Sequence, residues 1–478
     1  MTSVRRAFAF ATGEKYISAV LSIGTTAIVA RLILPSEFGI AVLGMAALSV
    51  AQAMRELGSS AFIVQHADLT TAKMRTVFTI NLMITLVLAI VFLVGAPVLA
   101  SLLRAPGLER YLPVAALAFV TGAVVFPLHA SLARDLKFKS LAGINVASSV
   151  VNSGVLILCA ASGLSFLSFA WANVASALVG SVLLMWVRPR FEIFRLDTSA
   201  WSEVLSFSIF TGGSALLQRL SELLTLSILN ITLSPLGVGL LHRASMICQF
   251  PERTVLAGVS AIALPVFSNR GRQKVDLGRV YLAAIDRLTV VIWPALGLIF
   301  LYAPVLVRLL LGPNWDEVTP LVRIIAAALF LNFPPGINYP LIIATGATKK
   351  VFFASALQVA TTLPIIAVAA QFGITAVAWS TFALVALGVA ISTYIVRSVV
   401  AFSWRDIAVS LQRSLKASIL ALIGPGLLAM IAGPDQSVLV FLTSACLAVI
   451  GWVAGLYLTD HPMLAEVQRT VRAIRSKL

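Results

Sequence analysis

Charge is what this sequence has least of. Of its 478 residues, 11% are Asp, Glu, Lys or Arg, where a water-soluble globular protein carries about 25%. Acids are the scarcer half, 19 against 35 Lys and Arg. Cysteine is almost absent: Cys159, Cys248 and Cys446 each sit in an apolar run. They read as small buried hydrophobes, with no disulfide framework and no CxxC pair. No polar stretch is long enough to fold as a soluble catalytic or nucleotide-binding domain. There is no GxxxxGK[ST] loop, so ATP hydrolysis within this chain drives nothing. The four histidines, His66, His129, His242 and His461, are scattered, and DxD, HxxxH, HExxH and GxSxG patterns are missing. These gaps argue against an enzyme and leave no metal site and no cofactor.

What is present is apolar: 59% of residues are hydrophobic and the mean hydropathy is +0.99. Runs of about 18 or more apolar residues recur, each long enough to cross a bilayer core of ~30 Å as a helix. The alternating segments of about ten residues that mark a membrane β-barrel are absent. The fold class is therefore all-α, a polytopic membrane protein. Fourteen spans are expected: 16–34, 38–56, 77–101, 112–130, 141–161, 164–187, 204–230, 236–258, 283–303, 321–343, 352–370, 374–396, 415–432 and 437–459. With the N-terminus inside, 27 Lys and Arg fall on inner segments and 5 on outer ones. That bias puts both termini in the cytoplasm. It also explains the net charge of +16 without nucleic acid. Arg5 and Arg6 precede a full-length span, so they anchor it and do not mark an export signal.

A weak repeat runs through the chain. ARLILPSEFGIAVL (30–43) and NITLSPLGVGLLHRA (230–244) both place Leu, Pro and Gly in an outer turn. A period of six spans keeps two halves in the same orientation, which predicts two parallel lobes about a central cavity. The expected domains are 1–195 and 196–400, each of six helices, and 401–478, two added helices and a basic cytoplasmic tail.

Charges inside the spans are the candidate site, because a charge at a helix centre costs about 2.5–3.5 kcal/mol on insertion scales. At about 1.5 Å per residue, Arg219 and Arg243 lie roughly 17 and 11 Å below the outer ends of spans seven and eight. Gln218 and His242 sit beside them in sequence, and Arg31 lies near the outer end of span one. Read as a site, Arg219, Arg243 and Arg31 form a cationic pocket for an anion, since the guanidinium fork matches phosphate oxygens. Read plainly, Arg219 pairs with Glu222 one turn later, while Arg243 and Arg31 snorkel to the outer interface. Spans one to six hold no deep carboxylate, which disfavours a pump for cationic drugs.

The order and spacing of several motifs carry a family resemblance. ARLILPSEFGIAVLGM with RELGSSAFIVQ, then PLHASLARDLKFK, then LGVGLLHRASMICQFP, ALPVFS and LLLGPNWDEVTPLVRIIA are together similar to bacterial polysaccharide flippases. These are the Wzx-like, polysaccharide-transporter branch of the multidrug/oligosaccharidyl-lipid/polysaccharide exporter superfamily. The resemblance implies two six-helix bundles that open alternately to each side, in the bacterial cytoplasmic (inner) membrane. It implies flipping of a polyprenyl-diphosphate-linked oligosaccharide, with membrane lipid, a polysaccharide polymerase and export machinery as partners. The diphosphate would then meet Arg219 and Arg243, and Gln218, Asn230, Asn145 and Asn152 the glycan. The alternatives are an ion-coupled exporter of small molecules from the same superfamily, a membrane glycosyltransferase or polymerase, and a non-transporting scaffold.

Overall fold

The structure, a computed structural model, describes residues 2–56, 62–63, 68–135, 137–272, 276–333, 336–345, 347–433 and 436–475. Its regular elements among these residues are all helical. Packing divides the chain into two compact units.

The first unit holds Met1–His242 with Leu310–Asn314 and Ile366–Gln371. Its helices are α1 (Thr2–Leu32), α2 (Pro35–Glu56), α3 (Thr71–Val94), α4 (Ala96–Leu102), α5 (Leu108–Arg134), α6 (Phe138–Ala161), α7 (Leu167–Val187) and the beginning of α8 (Trp201–Arg272). Thr70 starts α3 by accepting a hydrogen bond from the Lys73 amide, satisfying one of the first-turn donors that a helix leaves open. Val77 and Ile80 of α3 pack with Ala130 of α5 and Val204 of α8. The linker between α7 and α8 is lashed to α3. Arg75 donates to the Glu192 carbonyl at 2.8 Å, the Asp197 amide to Thr79 Oγ1 at 2.9 Å, and Lys73 pairs with Glu203 at 2.9 Å. The Ser199 amide donates to the Asp197 carboxylate, which holds that group below the usual carboxylate range.

The second unit holds Arg243–Leu309, Trp315–Ile365 and Phe372–Leu478. Beyond the rest of α8 it contains α9 (Leu277–Leu301), all but the last residue of α10 (Ala303–Leu310), α11 (Val318–Leu329), α12 (Asn338–Ala344), most of α13 (Thr348–Ala370), α14 (Ile374–Arg397), α15 (Trp404–Ala432), α16 (Val438–Leu458) and α17 (Met463–Arg475). Its core is Tyr281, Ile285, Leu288, Ile292 and Leu296 of α9 with Leu341, Ile342 and Val396. The two helices that follow α14 close on each other through glycine. A methyl group at Gly455 of α16 would lie 2.8 Å from the Ala417 carbonyl oxygen of α15. Without side chains the backbones approach closely, the usual contact of helices in lipid. Both are tied to α9: Trp452 Nε1 donates to the Val290 carbonyl at 2.7 Å, and Thr289 Oγ1 to Ser414 Oγ at 2.9 Å.

Eleven helices among the described residues are long and apolar enough to cross a membrane, or twelve if the bent pair 108–122 and 126–134 counts as one span. This count is of single helices of sufficient length, and it takes the segment Ala215–Leu256, broken at Ser234, as one. Expected spans seven and eight are the two arms of α8, which share the apolar stretch Ala215–Leu256. Ser234 interrupts it with φ 70° and ψ 168°. A left-handed φ on serine costs about 1–3 kcal/mol, and the following Pro235 already restricts this residue to extended ψ. The expected span 321–343 instead contains two short helices, α11 and α12, on either side of a break that holds Gly336 at φ 59°. Proline and glycine punctuate apolar runs that hydropathy alone joins or counts as whole.

Candidate functional site

The charged residues of the apolar segments have quite different surroundings. Arg219, in the 201–233 arm of α8, faces Glu222 at 3.0 Å, and their side chains are 54% and 47% exposed. This is the local pair that three-residue spacing on a helix produces. Gln218 beside it is exposed. Arg31, also exposed, donates to the Ala27 carbonyl at 3.2 Å. Its aliphatic stem lies over Gly312, where a methyl group would come within 3.2 Å of Arg31 Cγ. His242 is half-buried, with its ring edge-on to Phe38 at 5.7 Å.

Arg243 is different. It is 4% exposed on the 235–272 arm of α8, within the apolar stretch Ala215–Leu256. Its guanidinium carbon lies 5.7 Å from the centroid of the Trp315 ring, which is itself fully buried. An Nη1–H points to Met246 Sδ at 3.5 Å. A cation over the face of tryptophan gains about 2 kcal/mol or more when both are out of water. The division between the compact units runs between His242 and Arg243. Arg31, Gln218, Arg219, Glu222 and His242 belong to the first compact unit and Arg243 to the second, and Arg219 forms an ion pair with Glu222.

The asparagines expected near a glycan are engaged in helix contacts of the first unit. Asn230 donates to the Leu103 carbonyl at 2.5 Å, Asn145 to Glu14 Oε1 at 3.3 Å, and Asn152 to Asn173 Oδ1 at 3.4 Å. The partner of Asn145 is a carboxylate at the N-terminal end of the first span, not deep in it. α1 begins at Thr2 and its apolar segment at Gly13, so Glu14 lies within the span. The reading of span one from residue 16 leaves it outside, because Glu14 and Lys15 lower the local hydropathy and look like a loop. A second acid lies in α8, where Glu252 accepts from Asn332 Nδ2 at 3.2 Å.

Arg55 went unnoticed as a candidate because it counts among the basic residues of an inner loop. Its guanidinium lies 4.9 Å from the Phe119 ring centroid and 5.6 Å from that of Phe126. Nη1 donates to the Phe119 carbonyl at 3.5 Å. Gly122 makes the room: a methyl group there would stand 2.9 Å from Arg55 Nη1. The available signal was an arginine ending an apolar helix and a helix elsewhere with Phe, Gly and Phe at 119, 122 and 126, but nothing in the sequence pairs them.

One cluster contains the residue types of a catalytic triad and lacks its geometry. Asp286 Oδ1 and Ser414 Oγ both approach the same nitrogen of His461, Nε2, at 3.1 and 3.4 Å. A triad needs the acid on one ring nitrogen and the nucleophile on the other. Here the other nitrogen, Nδ1, accepts from the Met463 amide at 3.2 Å, and the histidine is 0% exposed. The arrangement joins α9, α15 and the start of α17. Among the described residues no group of three or more His, Cys, Asp or Glu could hold a metal ion.

Comparison with known proteins places the chain. Residues 28–320, well over half of it, match the family described as polysaccharide biosynthesis protein. The teichuronic acid biosynthesis protein TuaB of Bacillus subtilis (strain 168) is 20% identical over 306 residues, 63% of this chain and 63% of that protein. The matched region thus spans just under two thirds of that relative's length. The succinoglycan biosynthesis transport protein ExoT of Rhizobium meliloti (strain 1021) is 23% identical over 69% of this chain and 67% of its own. Among solved structures, the lipid II flippase MurJ in an inward closed conformation superposes with TM-score 0.76 at 12% identity, over 94% of this chain and 98% of that one. An inward-facing multidrug resistance MATE family transporter of the MOP superfamily gives 0.59 at 15% identity, over 80% and 95%. The fold is that of this transporter superfamily.

Proposed function

The chain belongs to the polysaccharide biosynthesis protein family, and from that premise we propose that it flips polyprenyl-diphosphate-linked oligosaccharides across the bacterial cytoplasmic membrane by alternating access. The observation that carries this reading is Arg243, a cation 4% exposed within a membrane helix. An arginine so placed suits the anionic end of a lipid-linked sugar. Its charge attracts the diphosphate, and Trp315, fully buried beside it, fixes where the guanidinium lies. Arg55, between two phenylalanine rings, is the first unit's corresponding cation. Arg219, held by Glu222, stays outside this assignment. A ligand shifts the inward and outward states by its differential affinity for them, so net export follows the gradient of substrate or of a coupled ion. The polymer would be a surface or secreted polysaccharide, with its polymerase and export machinery as partners and both termini in the cytoplasm.

The test is depletion in the producing strain followed by extraction of lipids. The expected result is loss of polysaccharide with accumulation of a polyprenyl-diphosphate oligosaccharide, protected in spheroplasts from a glycosidase added outside. Polymer still made with no such lipid would overturn the reading. A second reading, an ion-coupled exporter of small molecules, is favoured by Glu14 and Glu252 within membrane segments. Counter-transport of a proton or Na⁺ with a small molecule, abolished by Glu14→Gln, would turn the assignment that way.

A further inference from the structure

The repeat that sets LPSEFG (34–39) beside SPLGVG (234–239) becomes a contact in the fold. Pro35 corresponds to Pro235 and Gly39 to Gly239. Each glycine lies against the other copy's proline. A methyl group on Gly39 would collide with the Pro235 carbonyl, and one on Gly239 with the Pro35 carbonyl. The latter would also stand 3.3 Å from the Gly39 nitrogen, so the two backbones cross with nothing between them. Ala41 and Val238 beside the crossing are fully buried. Two further contacts close the same end of the first unit: Asn230 donates to the carbonyls of Leu103 and Arg104, and Gly312, at φ 93°, receives the stem of Arg31. The sequence's charge bias puts these turns on the outer side.

We propose that the reciprocal Gly39–Gly239 crossing is the outer gate of the transport pathway and that this structure holds it shut. The inference rests on the alternating-access reading and adds to it a part and its residues. The contact suits a gate for physical reasons. It joins backbone to backbone through residues that carry no charge, Pro35, Gly39, Pro235 and Gly239, so parting these four strands no ion. Its two prolines have no amide hydrogen, so neither contributes a donor that separation would orphan. Glycine is needed on both sides because any Cβ would occupy the space of a carbonyl. Two equivalent half-contacts close together and open together.

The experiment measures access, which does not depend on knowing the substrate. In a chain whose three cysteines are replaced by alanine, Ala41→Cys is treated with a membrane-impermeant maleimide on right-side-out vesicles. The expected result is slow labelling in the parent. With Gly39→Ala or Gly239→Ala added, labelling becomes about tenfold faster, the population change that about 1.4 kcal/mol against the closed state produces. Combining both alanines adds little, since one crossing is lost either way. Labelling at the parent rate in variants present at normal level in the membrane overturns the proposal. Should the alanine variants fail to accumulate, Ala41→Cys alone decides: a bulky maleimide added from outside during export must react and stop export. A thiol that stays unreactive while export proceeds sinks the gate. A glycan finding against flipping leaves the labelling result standing, and the two failures are thereby told apart.

Discussion

Two arginines on α8 lie 24 residues apart in sequence and live in opposite circumstances. Arg219 is more than half exposed and held at 3.0 Å by Glu222. Arg243 is 4% exposed and covered by an indole ring. A carboxylate one turn away cancels the first charge, and an aromatic face only polarises toward the second. The first arginine meets its opposite charge on its own helix, whereas the second lies over a fully buried tryptophan ring 72 residues further on. Position in an apolar segment is thus a poor guide to function by itself; what faces the charge decides.

The sharpest way to break this contrast is to remove Arg243. Arg243→Ala is expected to abolish export while the protein still reaches the membrane. Losing a hydrogen bond to a charged group costs about 1.5–3 kcal/mol, or about ten- to a hundredfold in substrate affinity. Arg243→Lys keeps the charge and loses the planar fork that grips phosphate in two places, so an intermediate loss is expected. Export from inverted vesicles supplied with the lipid-linked glycan reads both. If the alanine variant exports at the parent rate, Arg243 is an interior support and the contrast carries no functional meaning.

A smaller effect should follow from changing what covers it. Trp315→Phe keeps an aromatic face of weaker quadrupole, and Trp315→Leu removes it. Cation–π energies run from about 0.5 to 2 kcal/mol with desolvation, so export should fall a fewfold in the first and further in the second. Trp315→Leu also leaves a cavity in a fully buried position, and the cost of such a change grows with the volume left empty. Thermal unfolding in detergent therefore belongs beside the export assay. A loss of export that tracks unfolding alone would reduce Trp315 to packing.

These surroundings were only partly legible in the sequence. The helical class and most spans were, because bilayer thickness dictates a run length that hydropathy measures directly. The break at Ser234 was legible, since Pro235 and the glycines after it announce a turn between the two spans. Arg219–Glu222 was legible because helical spacing is local. Arg243 under Trp315 was not: 72 residues separate them, and no periodicity links one helix to a loop that far on. Arg55 was hidden by the very rule that gave the orientation, since counting basic residues on a side says nothing about which of them turns inward. Glu14 was missed for the opposite reason, an acid at a helix end that makes a span look shorter than it is.

The smallest effect, and the cleanest discriminator, belongs to the exposed pair. Arg219→Gln or Glu222→Gln alone strands one charge in an apolar segment. Where that face meets lipid, the stranded charge costs about 2.5–3.5 kcal/mol on insertion scales, and the double variant costs almost nothing because both charges leave together. Where the face meets water, each single change loses only the coupling of a helix pair, about 0.2–0.5 kcal/mol. The expected pattern is reduced membrane yield for each single variant, recovery in the double, and export per molecule within about twofold throughout, as for other exposed pairs. A double variant that inserts normally and fails to export would move Arg219 from the paired class into the site. Yield and export must therefore be measured on the same membranes, since only their ratio separates a residue the helix needs to enter the bilayer from one the substrate needs to cross it.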